Sequence, residues 1–513
     1  MLAVDLGTGG PKVGAVGLDG ELYATSFTAV PTEQTEDGGT EQDVALWWEG
    51  IKAGVAAFLA DGVVDGDDLH AVGLTSQWSS IVAVDDAGDP VGRCLMWSDH
   101  RGASHSAAAV GGPVAGLKAT LAAQAIRYSG TVPLTTGEDP LGHELFLRNE
   151  RPELYARARA LLEPVDYLGL RFTGQVAATP ASQFFASVVD NRRGRVPRYV
   201  PELVRRLGRD ADLLPPLRST GSVLGPVVPE VASELDVRAG VPVVCGVPDF
   251  FAAYLGSGAV GPLQAHIAVS TTSWLTCHVP SKKVDPFRMM ASVPGVAPGS
   301  YLVINDQASA GYCLRWWLDR QAEITASVGA APPDFATMLS DAAGVSRGSD
   351  GVLFLPWLRG EHTPVDDRLA RGGFVNLSAA NGVPAMTRAI LEGVALNGRW
   401  LLQAVETFAK ASLPSVRILG GGAQSDLWCQ IYADVLARPV ERVADPMYAQ
   451  LRGAAMLALI GMGEASLDEA AALVPVSDRF LPEPGSSDVY DPLFTEFTGV
   501  FKSLRKHHHR LNG

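Results

Sequence analysis

Apolar and polar residues alternate in three short runs at the start of the chain: Leu2-Ala3-Val4, Val13 to Leu18 and Leu22 to Val30. Glycines from Gly7 to Gly10 and the pair Asp19-Gly20 separate these runs. Turn residues between strand-like runs predict an antiparallel meander. The period then changes, because Trp47, Trp48, Ile51, Val55 and Phe58 recur at helical spacing over Trp47 to Leu59. Strand-like His70 to Leu74 and Ile81 to Val84 follow, and strands alternating with a helix predict an α/β class.

From about 110 to 240 the pattern is more helical and proline-rich, and Pro215, Pro216, Pro226 and Pro229 mark a lead into a second unit. A new α/β pattern opens at Val241. Its segment Ile267-Ala268-Val269-Ser270-Thr271-Thr272-Ser273 can be laid over Val4-Asp5-Leu6-Gly7-Thr8-Gly9-Gly10, with a strand after each turn. This predicts two diverged copies of one motif. We therefore divide the chain into 1–240 and 241–513, two domains meeting at a cleft, a place that ligands favour.

Composition narrows the partners. The 513 residues are 47% hydrophobic and 19% charged with a net charge of −15. That field repels phosphate backbones and anionic lipid, so neither nucleic acid nor a membrane surface is expected as a partner. The five cysteines form no C-x-x-C pair, which fits a reducing cytoplasm. No secretory leader is written at the start, and the most apolar helical stretch, Leu451 to Met462, is short and contains Arg452. His507-His508-His509 reads as a solvated tail.

Chemistry-bearing residues gather at the strand ends. Asp5, the turn Gly7-Thr8-Gly9-Gly10 and Lys12 place a carboxylate, backbone N–H donors, a hydroxyl and a cation within eight residues. Phosphate and Mg²⁺ both fit there, and so does a plain glycine-rich hairpin. Ser270 to Ser273 would form the opposite jaw, with Ala268 standing where Asp5 stands. Asp249 opens a helix and reads either as a capping residue or as a base for a substrate hydroxyl. Gln77-Trp78-Ser79 lies in a strand-connecting loop; Asp99 and Arg101 offer hydrogen bonds to sugar hydroxyls, or a cap and a surface ion pair. Gly420-Gly421-Gly422 follows the strand Val416 to Leu419, so backbone there could approach a flat ligand such as adenine, or simply turn tightly. Gly256 to Gly261 satisfies G-x-G-x-x-G but follows a helical run, which argues against a nicotinamide cofactor, and no P-loop is present.

In their order along the chain, VDLGTGGPKVGAV, GGTEQDVALWW, VGLTSQWSSIVAVDDAG, LMWSDHRG, CGVPDFFAAYLGSGAV, FLPWLRGEHTPVDD, GGGAQSDLWCQIYADVLARPV and LRGAAMLALIG resemble the FGGY family of carbohydrate kinases, most closely its xylulokinase branch. The resemblance implies two ribonuclease-H-like domains of the actin-like ATPase kind flanking a cleft, and ATP-dependent phosphorylation of a sugar or polyol hydroxyl with Mg²⁺. It implies Asp249 as general base, Thr8, Gly9, Gly10 and Lys12 on the first phosphate hairpin, and Asp5 with Asp249 on the metal side. Thr271 and Thr272 fall on the second hairpin, and Gly311, Gly421, Gly422 and Asp426 on the nucleotide side. A small-molecule acceptor is the implied partner, and a homodimer is compatible with it.

Two departures shape the expectation. Gln77-Trp78-Ser79 stands where xylulokinases carry Gln-Met-His, and Ser270-Thr271-Thr272-Ser273 where the family usually has Gly-Thr-Ser-Gly. The indole leaves less room and one N–H donor, which points away from xylulose towards a shorter, differently branched or partly deoxygenated polyol. The altered hairpin keeps a second reading open, a nucleotide-binding regulator of the same fold without turnover.

Overall fold

The computed structural model of the protein describes all 513 residues except Ala115, Pro298, Pro332 and Pro333. The first sheet is built from β1 (Leu2–Gly7), β2 (Gly10–Val16), β3 (Leu22–Phe27), β4 (Val72–Ser76), β5 (Val223–Pro226) and β6 (Pro242–Val244) in the order β5-β6-β4-β1-β2-β3. The meander β1-β2-β3 is antiparallel, while β4 joins β1 and β6 joins β4 in parallel. Helix α1 (Val44–Ala60) covers one face with Trp47, Trp48, Ile51, Val55 and Phe58 buried. It starts one turn earlier than the apolar period suggests, because Asp43 caps it by accepting the Ala45 N–H.

The chain then runs through α2 (Asp249–Ser257) into a second sheet. Its strands are β7 (Ala265–Val269), β8 (Ser273–Val279), β9 (Met290–Pro294), β10 (Tyr301–Ile304), β11 (Val416–Leu419), β12 (Val440–Val443) and β13 (Val476–Phe480). They are ordered β9-β10-β8-β7-β11-β12-β13, with the short strand Val284–Asp285 outside β9. Here too the first three strands, β7-β8-β10, are antiparallel, and β11 and β12 follow in parallel. Both sheets thus repeat one topology, as the overlay of Val4–Gly10 on Ile267–Ser273 implies.

The lobes share material. The division drawn after residue 240 falls just before β6, which pairs in the first sheet. Helices α3 (Gly311–Ser327), α4 (Val383–Ala409) and α5 (Asp426–Leu436) pack about the second sheet, but α6 (Ala449–Gly461) lies on β1, β2 and β4 and against α2. A third apolar core, with Phe251, Tyr254, Leu451 and Ala454, forms between α2 and α6. This explains the apolar stretch Leu451 to Met462: it bridges two lobes. Among the described residues no helix is long and apolar enough to cross a membrane. All five cysteines are buried and free.

The histidine run ends an ordered helix. His507 and His509 are exposed, as a solvated tail has them, but the run belongs to α7 (Ser486–Asn512), where His509 Nε2 sits 2.9 Å from the buried Asp367 carboxylate and Arg505 donates to it at 3.1 Å. A helix whose preceding face carries Tyr490, Phe494, Phe497 and Phe501 into the second core brings the polar end with it.

Candidate active site between the lobes

The turn between β1 and β2 puts Asp5 directly across from Lys12, with the ammonium 3.0 Å from the carboxylate. Asp5 is buried, and its attraction raises the Lys12 pKa although burial opposes it. Gly10 has φ +126°, and a Cβ there would stand 2.1 Å from the Thr28 carbonyl oxygen. That glycine is required by the hairpin itself, whatever the ligand. Thr8 and Gly9 are exposed at the tip. The Thr8 hydroxyl donates to Gln77 Oε1 and accepts from Trp97 Nε1, both at 3.1 Å, and Gln42 Nε2 donates to the Thr8 carbonyl at 2.7 Å.

Asp249 is the first residue of α2, and the capping position belongs to Pro248. Its carboxylate accepts the N–H of Phe250 at 2.8 Å rather than those one or two residues further on that a cap would satisfy. The half-buried carboxyl therefore keeps an oxygen for other work. Burial, helped by the charge of Asp5, pushes its pKa up to about 7, while Lys12 pulls the other way. Asp5, Lys12 and Asp249 thus form one electrostatic cluster, and a carboxylate tuned towards neutrality suits proton transfer from an alcohol.

The second hairpin is one residue tighter. Ala268 pairs with Trp274, so an apolar pair occupies the place of the Asp5–Lys12 charge pair. The carbonyl of Thr271 accepts from Ala310 and Tyr312, and that of Ser270 from Gly311, which ties the hairpin to the start of α3. Beside it opens a cavity of about 560 Å³ lined by Thr271, Gly311, Gly421 and Gly422 together with Tyr312, Phe335 and Trp428. A Cβ on Gly421 would meet nothing within 4 Å, so backbone is bared to the cavity there. Thr272 stays on the hairpin without lining the cavity, and Asp426 faces solvent, with its carboxylate bonded to Arg442 at 2.6 Å. Gln424 and Ser425 line the cavity in its place.

The acceptor loop departs most from expectation. Gln77 is buried and holds Thr8. The Trp78 N–H is already donated to the Ser182 carbonyl at 3.0 Å, so the indole presents carbon and not a donor. Its ring packs on Phe185 and Phe250 at centroid distances of 4.5 and 6.4 Å, and Phe250 meets Trp274 at 6.4 Å. Ser79 has φ +64° and donates to the Glu138 carbonyl at 3.3 Å. Asp99 and Arg101 do not join this group. The guanidinium is bonded to Asp99, Asp37 and Glu41 and stacked 4.2 Å over Phe146, which leaves no donor for a sugar. Asp99 accepts the Thr40 N–H, so the pair ties down the segment 37–41.

Trp97, Phe185, Phe250 and Trp274 join the site beyond the residues expected from the sequence. Trp97 and Phe250 stand beside motif residues, and Trp274 follows the second hairpin, so proximity in sequence is the signal for those three. Nothing local marks Phe185.

The family's N-terminal domain, described as the FGGY family of carbohydrate kinases, matches residues 1–256, and its C-terminal domain matches residues 268–462. A xylulose kinase of Staphylococcus epidermidis (strain ATCC 35984) is 25% identical over 99% of this chain and 97% of its own length. An autoinducer-2 kinase of Enterobacter sp. (strain 638) is 27% identical over 98% of this chain and 94% of its own. The crystal structure of a ligand-bound xylulose kinase from Lactobacillus acidophilus superposes with a TM-score of 0.84 at 22% identity, covering 99% of both chains. With two domain matches in sequence order over most of its length, and a fold to match, the chain belongs to the FGGY family of carbohydrate kinases.

Proposed function

We propose that the protein transfers the terminal phosphate of ATP to a hydroxyl of a small sugar or polyol poorer in hydroxyls than xylulose, with Asp249 as the general base. ATP-dependent phosphorylation of a carbohydrate is the activity of the family. The observation that carries the residue assignment is the Asp249 carboxyl: it does not cap its helix, it is pushed up to about pKa 7, and it shares a cluster with the hairpin residues Asp5 and Lys12. Thr8, Gly9 and Gly10 on one side and Thr271 and Thr272 on the other would hold the phosphates through backbone N–H groups and hydroxyls. Gly311, Gly421 and Gly422 would bring backbone against the nucleoside.

Among the described residues no three His, Cys, Asp or Glu side chains gather as a metal site. Magnesium that travels with a nucleotide takes only one or two protein carboxylates beside phosphate oxygens, and Asp5 with Asp249 meets that need. When bound, the ion neutralises charge on the phosphoryl oxygens. Lys12 holds Asp5 in place, and Asp249 takes the acceptor proton as the alcohol oxygen bonds to the γ-phosphorus and the bond from that phosphorus to the β,γ-bridging oxygen breaks, releasing ADP.

The acceptor surface is apolar where a pentulose is polar. Trp78, Phe185, Phe250 and Trp274 form a wall beside Asp249, and the Trp78 donor is occupied. A hydroxyl facing that wall without a partner costs about 1–3 kcal/mol, so D-xylulose should be a poor substrate. The free thiols are in keeping with a reducing compartment. A panel of pentuloses, tetritols, deoxy and branched polyols with Mg-ATP, read as ADP release, tests the activity and the class together. Asp249→Asn should lower kcat about 10²–10⁴-fold with the affinity for metal-free ATP nearly unchanged. Wild-type turnover in a folded variant rejects the base assignment. Acceptor-independent ATP binding without any turnover favours the regulator reading.

A further inference from the structure

The acceptor loop rests on two carboxyl groups that phosphate transfer does not use. Glu163 occupies the N-cap position of the helix Pro164–Thr173, and Asp166 lies on its first turn. Both are buried, at 2% and 6% exposure. Glu163 Oε2 accepts the Ser80 N–H at 3.2 Å, and the Ser79 N–H also faces this carboxyl. Its other oxygen is buried without a hydrogen-bond partner.

From Ser80 the bonds continue. Its hydroxyl accepts the Trp97 backbone N–H at 3.0 Å, the Trp97 indole donates to Thr8 Oγ1 at 3.1 Å, and Thr8 donates to Gln77 Oε1 at 3.1 Å. A buried carboxyl is thereby joined, bond by bond, to the tip of the phosphate hairpin. A second branch starts at Asp166, whose Oδ2 accepts from Gln183 Nε2 at 3.3 Å. The neighbouring Ser182 carbonyl receives the Trp78 indole N–H. Trp78 and Ser80 therefore both lead to one turn of one helix.

Burial acts on both carboxyls in the same direction. Burial pushes the Asp166 pKa up to about 8, and burial helped by the charge of Asp166 raises that of Glu163 well above the carboxylate range. Arg209, the cation that most favours the Glu163 charge, is bonded to Glu144 at 2.7 Å. An amide oxygen accepts an N–H as a carboxyl oxygen does, so glutamine at 163 can keep the bond to Ser80.

We propose that Glu163 and Asp166 are positioning residues that hold Gln77–Ser80 in register with Thr8, so that acceptor affinity and choice depend on a carboxyl pair that never touches the acceptor. This rests on the reading of that loop as the acceptor site. The test uses the full chain, with the best acceptor of the panel, in Glu163→Leu and Glu163→Gln. Leu removes the partner of the Ser80 N–H at similar volume and should raise the acceptor KM about 10-fold or more while the Mg-ATP KM stays within about 2-fold. Gln keeps the acceptor oxygen and should stay within about 2-fold of wild type for both. Amide hydrogen exchange of residues 76–82 should be about 10-fold faster in Glu163→Leu, with residues 249–257 unchanged.

A parallel rise in both KM values, or unaltered exchange over 76–82, overturns the proposal. If Glu163→Leu does not accumulate, Glu163→Asp withdraws the carboxyl by one methylene and should show the same split at about 3-fold. An equal KM ratio there overturns it as well. If the wild type phosphorylates nothing in the panel, the functional reading fails, and the exchange measurement alone decides whether the carboxyl pair braces the loop.

Discussion

At the scale of single residues, Trp78 and Arg101 show where local reading stops. Residue type puts both among the acceptor ligands, and both have their donors taken by groups distant in sequence: Ser182 for Trp78, and Asp37 and Glu41 for Arg101. A side chain's hydrogen-bonding capacity is visible in a sequence, but whether the fold has already used it is not. Asp249 is the converse, because its missing cap bond becomes evident only when the helix start is seen. These placements make the loop testable by exchange. Trp78→Met with Ser79→His replaces one ring of the aromatic wall by a flexible thioether and adds an imidazole, so D-xylulose should gain about 5- to 100-fold in kcat/KM relative to the panel's best acceptor. A steady-state comparison of both substrates in both proteins checks it. If the ratio does not move, the aromatic wall is not what selects the acceptor.

At the scale of elements, most of the scaffold is legible because strands and amphipathic helices carry their period locally. The meander Leu2–Phe27, α1 and β11 lie close to where alternation and helical spacing put them. The destination of α6 is not legible, since nothing in Leu451 to Met462 says that it crosses back to the first sheet. Its glycine explains how it does so. A Cβ on Gly453 would sit 1.8 Å from the Ala252 carbonyl oxygen, and one on Gly256 would sit 1.7 Å from that of Ala449. Thus α2 and α6 meet backbone to backbone, and the G-x-G-x-x-G match at 256–261 has a packing role. Gly453→Ala should force the helices apart at a cost of about 1–3 kcal/mol and displace Asp249, which α2 carries. We expect a lower denaturation midpoint together with reduced kcat. Gly499→Ala in α7, where a Cβ meets nothing within 4 Å, should leave both unchanged or slightly improve stability. Equal behaviour of the two variants would show that the close crossing is not needed.

At the scale of the whole molecule, the two lobes are fastened unequally. Behind the site, α2 and α6 form a packed core whose residues include Phe251, Ala252 and Ala454, all fully buried. Away from that helix pair, polar links also join the lobes. Arg368 reaches Glu138 at 3.4 Å, Lys282 Nζ donates to the carbonyls of Arg127 and Tyr128 at 2.6 and 3.0 Å, and the Tyr301 hydroxyl donates to the Asn191 carbonyl at 3.1 Å. Half-exposed ion pairs contribute about 0–1 kcal/mol, far less than a packed core, so opening should occur at these links with the helix pair as pivot. Because Glu138 also receives the Ser79 hydroxyl, Arg368 links closure to the acceptor loop. A closed cleft protects the phosphoryl group from water, and weakening the polar links should uncouple ATP use from transfer. In Lys282→Ala with Arg368→Ala we expect ATP hydrolysis without acceptor to rise several-fold and the acceptor KM to increase, with the denaturation midpoint almost unmoved because the α2–α6 core is intact. ADP release measured with and without acceptor reads both effects. Tight coupling in the double variant would place the closing contacts elsewhere, and a large loss of stability would show that the polar links carry the fold.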